Sequence, residues 1–112
     1  MARRRVESVS GSLIELADWP PQGLSETEAE VDGERLSLVL LREGGVLKAW
    51  LNVCPHAGRR LDWAPGKFLV DKGRLVCAAH GASFELEHGE CVAGPCKGAS
   101  LVPVRVAVAS AG

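Results

Sequence analysis

The sequence predicts an all-β fold, an antiparallel sandwich or barrel of short strands. Thirteen glycines and six prolines divide the 112 residues into short pieces, and no stretch keeps a helical apolar period. Apolar, β-prone runs separated by turn residues recur along the chain, a pattern typical of antiparallel sheets. The four even positions from Val102 to Val108 are all valine, as in a half-buried strand near a sheet edge.

Six strands are predicted in chain order, with turn residues between them. Arg42-Glu43-Gly44-Gly45 separates two β-prone runs in the manner of a hairpin. Further turns are predicted at Asp32-Gly33, Asp71-Lys72-Gly73 and His88-Gly89. The predicted strands are residues 12–16, 36–41, 46–53, 74–77, 83–86 and 101–108.

The composition bounds the class of protein. Hydrophobic residues make up 46% of the chain and charged residues 24%, which is ordinary for a globular protein. The length predicts a single domain over residues 1–112. The net charge of −1 gives no reason to expect nucleic acid or an anionic membrane as a partner. No apolar run approaches the ~18 residues of a membrane span.

The start of the chain and its cysteines bear on the compartment. Met1-Ala2-Arg3-Arg4-Arg5 is basic, but polar residues follow it where a secretory signal needs an apolar stretch. We therefore expect a cytoplasmic location, where four cysteines are better explained by metal or redox chemistry than by disulfides. All cysteines and histidines lie in residues 54–112, which carry seven Lys/Arg against five Asp/Glu, whereas residues 1–53 carry six against nine.

Two short stretches hold the candidate metal ligands. They are Cys54-Pro55-His56-Ala57-Gly58 and Cys77-Ala78-Ala79-His80-Gly81. Each supplies a thiolate and an imidazole within one turn of chain, and each follows an apolar run, so both are predicted to be loops at strand ends. The glycines allow close backbone approach and leave amide donors free to face sulfur.

Cys-x-His-x-Gly followed by Cys-x-x-His-Gly resembles the Rieske [2Fe–2S] domain family. The similarity continues through Phe84-Glu85-Leu86, Gly89 and Gly94-Pro95, the last resembling the loop that covers the cluster. The resemblance implies a Rieske-like fold in which two loops form a cluster-binding subdomain, about residues 53–97, on a base of N- and C-terminal strands.

The resemblance also implies a ligand set and a function. Cys54 and Cys77 would bind one iron of a [2Fe–2S] cluster, and His56 and His80 the other. The resulting expectation is a ferredoxin-type one-electron carrier, not an enzyme, with a flavin-dependent reductase as donor and an oxygenase or similar protein as acceptor. Two alternatives stay open: a Rieske-like small subunit of a larger reductase such as nitrite reductase, and a zinc-stabilised interaction module.

Several other residues carry secondary expectations. Cys91 and Cys96 are interpreted either as two thiols or as a disulfide bracing the loop between them, and His88 as a solvated turn residue. Ala82 and Phe84 stand where high-potential members of the family place serine and tyrosine hydroxyls, which places the reduction potential near −150 mV, the low end of the Rieske range. The acidic run of Glu26, Glu28, Glu30, Asp32 and Glu34 is interpreted as a solvated face. We expect a basic set, Arg59, Arg60 and Lys97, to steer a partner protein.

Overall fold

A computed structural model describes residues 13–31, 33–55, 60–78, 81–94 and 99–108 of the chain. These residues form nine strands and no helix, so they contain no helix that could cross a membrane. The strands are β1 (Leu13–Leu16), β2 (Gly23–Val31), β3 (Glu34–Glu43), β4 (Val46–Leu51), β5 (Leu69–Asp71), β6 (Arg74–Val76), β7 (Ser83–Glu85), β8 (Cys91–Ala93) and β9 (Arg105–Val108).

The chain divides into two compact units. One comprises Met1–Leu51 together with Pro103–Gly112, and the other comprises Asn52–Val102. The first unit holds an antiparallel sheet in the order β2-β3-β4 and a second, two-stranded sheet of β1 and β9. β1 and β9 run parallel, with Leu13 opposite Arg105, and this is the one parallel pairing among the described strands.

The core of the first unit is filled from both of its sheets. Strand β1 contributes Ile14, β3 contributes Leu38 and Leu40, and β4 contributes Ala49. Val104, the residue directly before β9, completes this core. Alternation along the strands explains this arrangement, because every second side chain of a strand faces the same side. Burying such aliphatic side chains contributes about 1.5–3 kcal/mol each to folding.

The second unit holds an antiparallel sheet in the order β5-β6-β7-β8. Leu75 of β6 pairs with Phe84 of β7, and Phe84 pairs in turn with Cys91 of β8. All three side chains are buried, together with Leu61 and Leu101. This small sheet therefore has its own apolar core, which supports the loops that carry Cys54 and Cys77.

The predicted strands differ from the observed ones mainly at their ends. The strand predicted over residues 36–41 is longer, Glu34–Glu43, whereas that predicted over 46–53 ends at Leu51. The prediction of one strand over 101–108 was wrong in extent, since only Arg105–Val108 is a strand and Val102 is exposed. Pro103 has no N–H to donate to a ladder, which explains the interruption.

Candidate metal centre

Cys54 lies in the loop that follows β4. The strand ends at Leu51, so the thiol stands three residues beyond the sheet, and its side chain is completely buried with a free thiol. His56, the second candidate ligand of this loop, lies outside the described residues. A buried, unbridged cysteine at the end of a strand is a suitable thiolate donor for iron or zinc.

Cys77 directly follows β6 and is equally buried, and its sulfur is not part of a disulfide. Its backbone closes a tight loop, because its N–H donates to the Ala82 carbonyl at 2.8 Å and its carbonyl accepts from the Gly81 N–H at 2.8 Å. Gly81 has a φ of +73°, a conformation that glycine adopts without steric cost. His80 lies inside this loop and outside the described residues.

Leu61 joins the two cysteine segments through its backbone. Its N–H donates to the side-chain oxygen of Asn52, two residues before Cys54, at 2.9 Å. Its carbonyl accepts from the N–H of Ala78, the residue after Cys77, at 3.2 Å. The Leu61 side chain is completely buried. One residue therefore fixes the chain near the first cysteine relative to the chain near the second.

An ion pair between the exposed side chain of Arg60 and the buried carboxylate of Asp62 follows next to Leu61 in the chain. Both oxygens of the Asp62 carboxylate accept from the Arg60 guanidinium, each at 2.9 Å, and one also accepts from the Gly66 N–H at 3.1 Å. Burial alone would raise the pKa of Asp62, but the hydrogen bonds from Arg60, Gly66 and Asn52 and the charge of Arg60 hold it below its ordinary value. Asp62 is therefore ionised at neutral pH and organises the chain between residues 60 and 66.

The sequence-based interpretation missed Asn52 and Asp62. Arg60, which it placed in a partner-steering basic set, has a side chain that is 45% exposed, and its guanidinium also holds the buried carboxylate of Asp62. The other two residues of that basic set, Arg59 and Lys97, lie outside the described residues. Asn52 and Asp62 are the only buried polar or charged side chains among the described residues. The sequence signal that could have found Asn52 is its position, a polar residue two places before Cys54.

The Gly94 backbone lies directly against the second cysteine loop. A Cβ placed on Gly94 would stand 2.8 Å from the Cα of Ala82, closer than two nonbonded carbon atoms approach each other in a protein. The φ of Gly94 is +99°. The segment after β8 therefore contacts the residue that closes the Cys77 loop. Pro95 lies outside the described residues.

The remaining histidine and cysteines have other surroundings. Cys91 is a buried free thiol that donates to the Ala93 carbonyl at 3.4 Å, so the disulfide alternative is not adopted, and Cys96 lies outside the described residues. His88 is exposed, as expected, and its Nδ1 is 3.6 Å from the Glu85 carboxylate. Neither Cys91 nor His88 belongs to a group of three metal-ligating side chains within the described part of the chain.

The Glu85 carboxylate caps the turn between β7 and β8. It accepts from the backbone N–H groups of Glu87 at 2.7 Å, His88 at 2.9 Å and Glu90 at 3.4 Å. Burial would raise the pKa of Glu85, but these N–H donors and the nearby His88 hold it below its ordinary value. This turn brings β8, and with it the segment that reaches Gly94, back beside the Cys77 loop.

Comparison with known proteins decides the family. The family model described as the Rieske [2Fe–2S] domain matches residues 15–109. The chain belongs to the Rieske [2Fe–2S] family. The resemblance found in the two Cys/His motifs is thereby confirmed, and with it the [2Fe–2S] cofactor and the role of iron–sulfur electron transport.

Two kinds of Rieske relative are similar to this chain. The ferredoxin of carbazole 1,9a-dioxygenase from Nocardioides aromaticivorans IC177 has 28% identity and a TM-score of 0.54, with 74% of each chain covered. The carnitine monooxygenase oxygenase subunits of Escherichia coli K12 and O157:H7 are each 36% identical over 69% of this chain. The chain spans 22% of the length of those oxygenase subunits. The all-β fold agrees with that of the Rieske ferredoxin.

The described residues fit a Rieske cluster by their donor chemistry. Cys54 and Cys77 are soft sulfur donors, neither is in a disulfide, and both are shielded from water. An iron–sulfur cluster needs deprotonated thiolates and a site that limits solvent access. Two such cysteines, held by loops that both bond to Leu61, meet that requirement.

Proposed function

We propose that this chain is a Rieske ferredoxin that passes single electrons from a flavin-dependent reductase to an oxygenase or a similar acceptor. The observation that carries the proposal is the Rieske family match together with two fully buried cysteines, neither in a disulfide, in two motif loops. We treat residues 1–112 as one Rieske-type domain with its cluster-binding region at about 53–97, since the family match runs through both units.

In this proposal Cys54 and Cys77 bind one iron, and His56 and His80 bind the other. When bound, the cluster supplies a one-electron couple, and two neutral imidazoles in place of two thiolates make it easier to reduce than an all-cysteine cluster. The buried cysteine loops exclude water from the sulfur side. Four protein ligands saturate both irons, which leaves no open position for a substrate and favours a carrier over an enzyme.

The proposed partners rest on the relatives and on the histidine count. One relative is a ferredoxin of a dioxygenase and the others are oxygenase subunits. An oxygenase site of mononuclear iron needs two further histidines and a carboxylate. The sequence has three histidines, so these 112 residues do not provide both sites. The acceptor in this proposal is an oxygenase or a similar redox protein, and we propose a cytoplasmic location for the exchange.

The ligand assignment is tested by single substitutions with an internal control. Cys54→Ser and Cys77→Ser should each abolish the visible absorption and bound iron, because each removes a thiolate ligand. Cys91→Ser is the matched control, since Cys91 is also buried and free. It should keep about two irons and two acid-labile sulfides per chain. Iron-free Cys91→Ser protein, or iron retained in Cys77→Ser protein, would contradict the assignment. One zinc per chain in the wild-type protein would instead support the zinc-stabilised interaction module.

The carrier role is tested by stopped-flow reduction. Purified protein mixed with NADH and a purified flavin-dependent ferredoxin reductase should take up one electron per chain, and an added Rieske oxygenase should reoxidise it. Transient docking predicts that the chain elutes alone in size-exclusion chromatography of a native extract. Elution in a stable complex with a larger reductase would instead support the subunit alternative.

A further inference from the structure

Trp63 is the most exposed large hydrophobic side chain in the described part of the chain, at 61%. Leaving an indole in water forgoes the free energy that its burial would contribute. Tryptophan is also the residue type that most often anchors protein–protein contacts. An exposed tryptophan on a well-ordered turn therefore calls for a function.

The turn that carries Trp63 is held rigidly. The Trp63 N–H donates to the Lys67 carbonyl at 3.0 Å, and the Lys67 N–H donates to the Ala64 carbonyl at 2.8 Å. The buried carboxylate of Asp62 fixes the stem of the turn by accepting from the Gly66 N–H at 3.1 Å. Because the turn is already ordered, little conformational entropy is lost when a partner binds Trp63.

The turn closely follows Leu61, the residue whose backbone bonds to the chain near both cysteines. Trp63 stands two residues after Leu61, whose backbone bonds to Asn52, next to the first cysteine segment, and to Ala78 in the second. A protein that binds Trp63 is therefore held within a few residues of the proposed ligand loops. Electron transfer requires this kind of closeness between a partner and the cluster.

The residues that follow the turn extend its apolar and basic character. Leu69 and Val70 lie on β5, the edge strand of its sheet, and are 44% and 55% exposed. Exposed charged side chains in residues 67–74 are mostly basic. They are Lys67, Lys72 and Arg74, against the single acidic residue Asp71. A partner protein whose surface is complementary to this region would have an apolar centre with carboxylates around it.

We propose that Trp63, together with the basic side chains of Lys67, Lys72 and Arg74 that follow it in the chain, forms the docking surface for an acidic electron-transfer protein. This inference rests on the proposed carrier function and identifies the surface through which the carrier meets its partner. Trp63 is the anchor of the contact, and these basic side chains accelerate association. One electron passes across it from the reduced partner, which is oxidised, to the oxidised cluster of this chain, which is reduced.

The test uses a chemically reduced plant-type ferredoxin, an acidic one-electron donor whose lower potential makes the transfer favourable. At low ionic strength, Trp63→Ala should lower the second-order rate constant at least tenfold, as for an anchor residue. Added salt should slow the wild type by screening the basic side chains. Trp19→Ala is the matched control, since Trp19 is 44% exposed in the other unit. It should keep the wild-type rate.

Dithionite separates failure of the docking surface from failure of the carrier function. It is a small reductant that needs no docking surface, so it should reduce the wild type and both variants equally, with unchanged visible spectra. Equal ferredoxin rates for the wild type and Trp63→Ala would overturn the inference, as would a wild type that dithionite reduces and ferredoxin does not. A wild type that dithionite does not reduce would instead overturn the carrier function itself.

Discussion

At the scale of single residues, Gly94 is the position where backbone geometry bears most directly on the metal centre. A Cβ there would meet the Ala82 Cα at 2.8 Å, and the φ of +99° disfavours any other residue. Gly94→Ala should therefore lower the free energy of unfolding by about 1–3 kcal/mol and accelerate cluster loss, measured by urea unfolding and by the decay of visible absorption.

Gly45→Ala provides the comparison for that substitution. Gly45 lies in the turn between β3 and β4, and a Cβ added there meets nothing within 4 Å. The variant should change stability by less than about 0.5 kcal/mol, as for ordinary surface substitutions. If Gly94→Ala is as stable as Gly45→Ala, the close contact with the Cys77 loop is not a constraint on the site.

Ala82 and Phe84 stand where a hydroxyl donor would raise the reduction potential of the cluster. Both side chains are completely buried and neither has a hydroxyl to donate. We expect the potential near −150 mV, the low end of the Rieske range. Phe84→Tyr should raise it by about 20–60 mV, the equivalent of one hydrogen bond of ~0.5–1.5 kcal/mol for a one-electron couple. Protein-film voltammetry measures both values.

Ser83→Ala supplies the negative control for the potential. Ser83 is half-buried between Ala82 and Phe84, and alternation along β7 directs it to the other side of the strand. Its removal should leave the potential unchanged. A wild-type potential above about +100 mV would show that hydroxyl donors at these two positions are not needed for a high-potential cluster.

At the scale of elements, the turn after β7 depends on the Glu85 carboxylate. The lowered pKa means that ionised Glu85 stabilises the fold, fully above its ordinary value of 4.5 and progressively less as the pH falls through the lower folded value. Glu85→Gln should lower the free energy of unfolding by roughly 1 kcal/mol at pH 6–7. The difference from wild type should shrink towards zero below pH 4.5 as the wild-type carboxyl becomes protonated.

Denaturant unfolding across that pH range measures the difference, with Glu87→Gln as the control. Glu87 is exposed in the same turn. Its substitution should leave the pH dependence of stability close to that of the wild type. If the free energy of unfolding of Glu85→Gln differs from that of the wild type by the same amount at every pH, ionisation of the Glu85 carboxylate is not what stabilises the turn.

The elements also show where sequence patterns suffice and where they fail. The runs of β3 and β4 are apolar and flank a glycine turn, so both were predicted. β2 was missed because small or polar residues, Ser25, Thr27 and Ala29, alternate with Glu26, Glu28 and Glu30 over most of its length, which leaves only a weak apolar signal. Such charge on an edge strand protects it from pairing with other chains. β5 and β8, of three residues each, were also missed.

At the scale of the whole molecule, the cysteine and histidine motifs alone suffice to predict the family, the cofactor and the fold class. They do so because the four candidate ligands stand close together in sequence, in two loops. The contacts of Leu61 with Asn52 and Ala78 join residues 9 and 17 positions apart, and no local pattern encodes them. The burial of Asp62, which is paired with Arg60, is hidden in the sequence because charged residues are ordinarily exposed.

We propose that one iron of the cluster carries two histidine nitrogens while the other carries two cysteine sulfurs. Pulsed electron paramagnetic resonance of dithionite-reduced protein, produced with ¹⁵N-histidine, tests it most directly. We expect strong hyperfine coupling from two directly bound imidazole nitrogens, which is kept in His88→Ala protein, whereas His56→Ala and His80→Ala proteins each lose one of the two couplings or the whole cluster. A reduced cluster with no coupling to histidine nitrogen, or a protein that binds zinc and gives no signal, would contradict it.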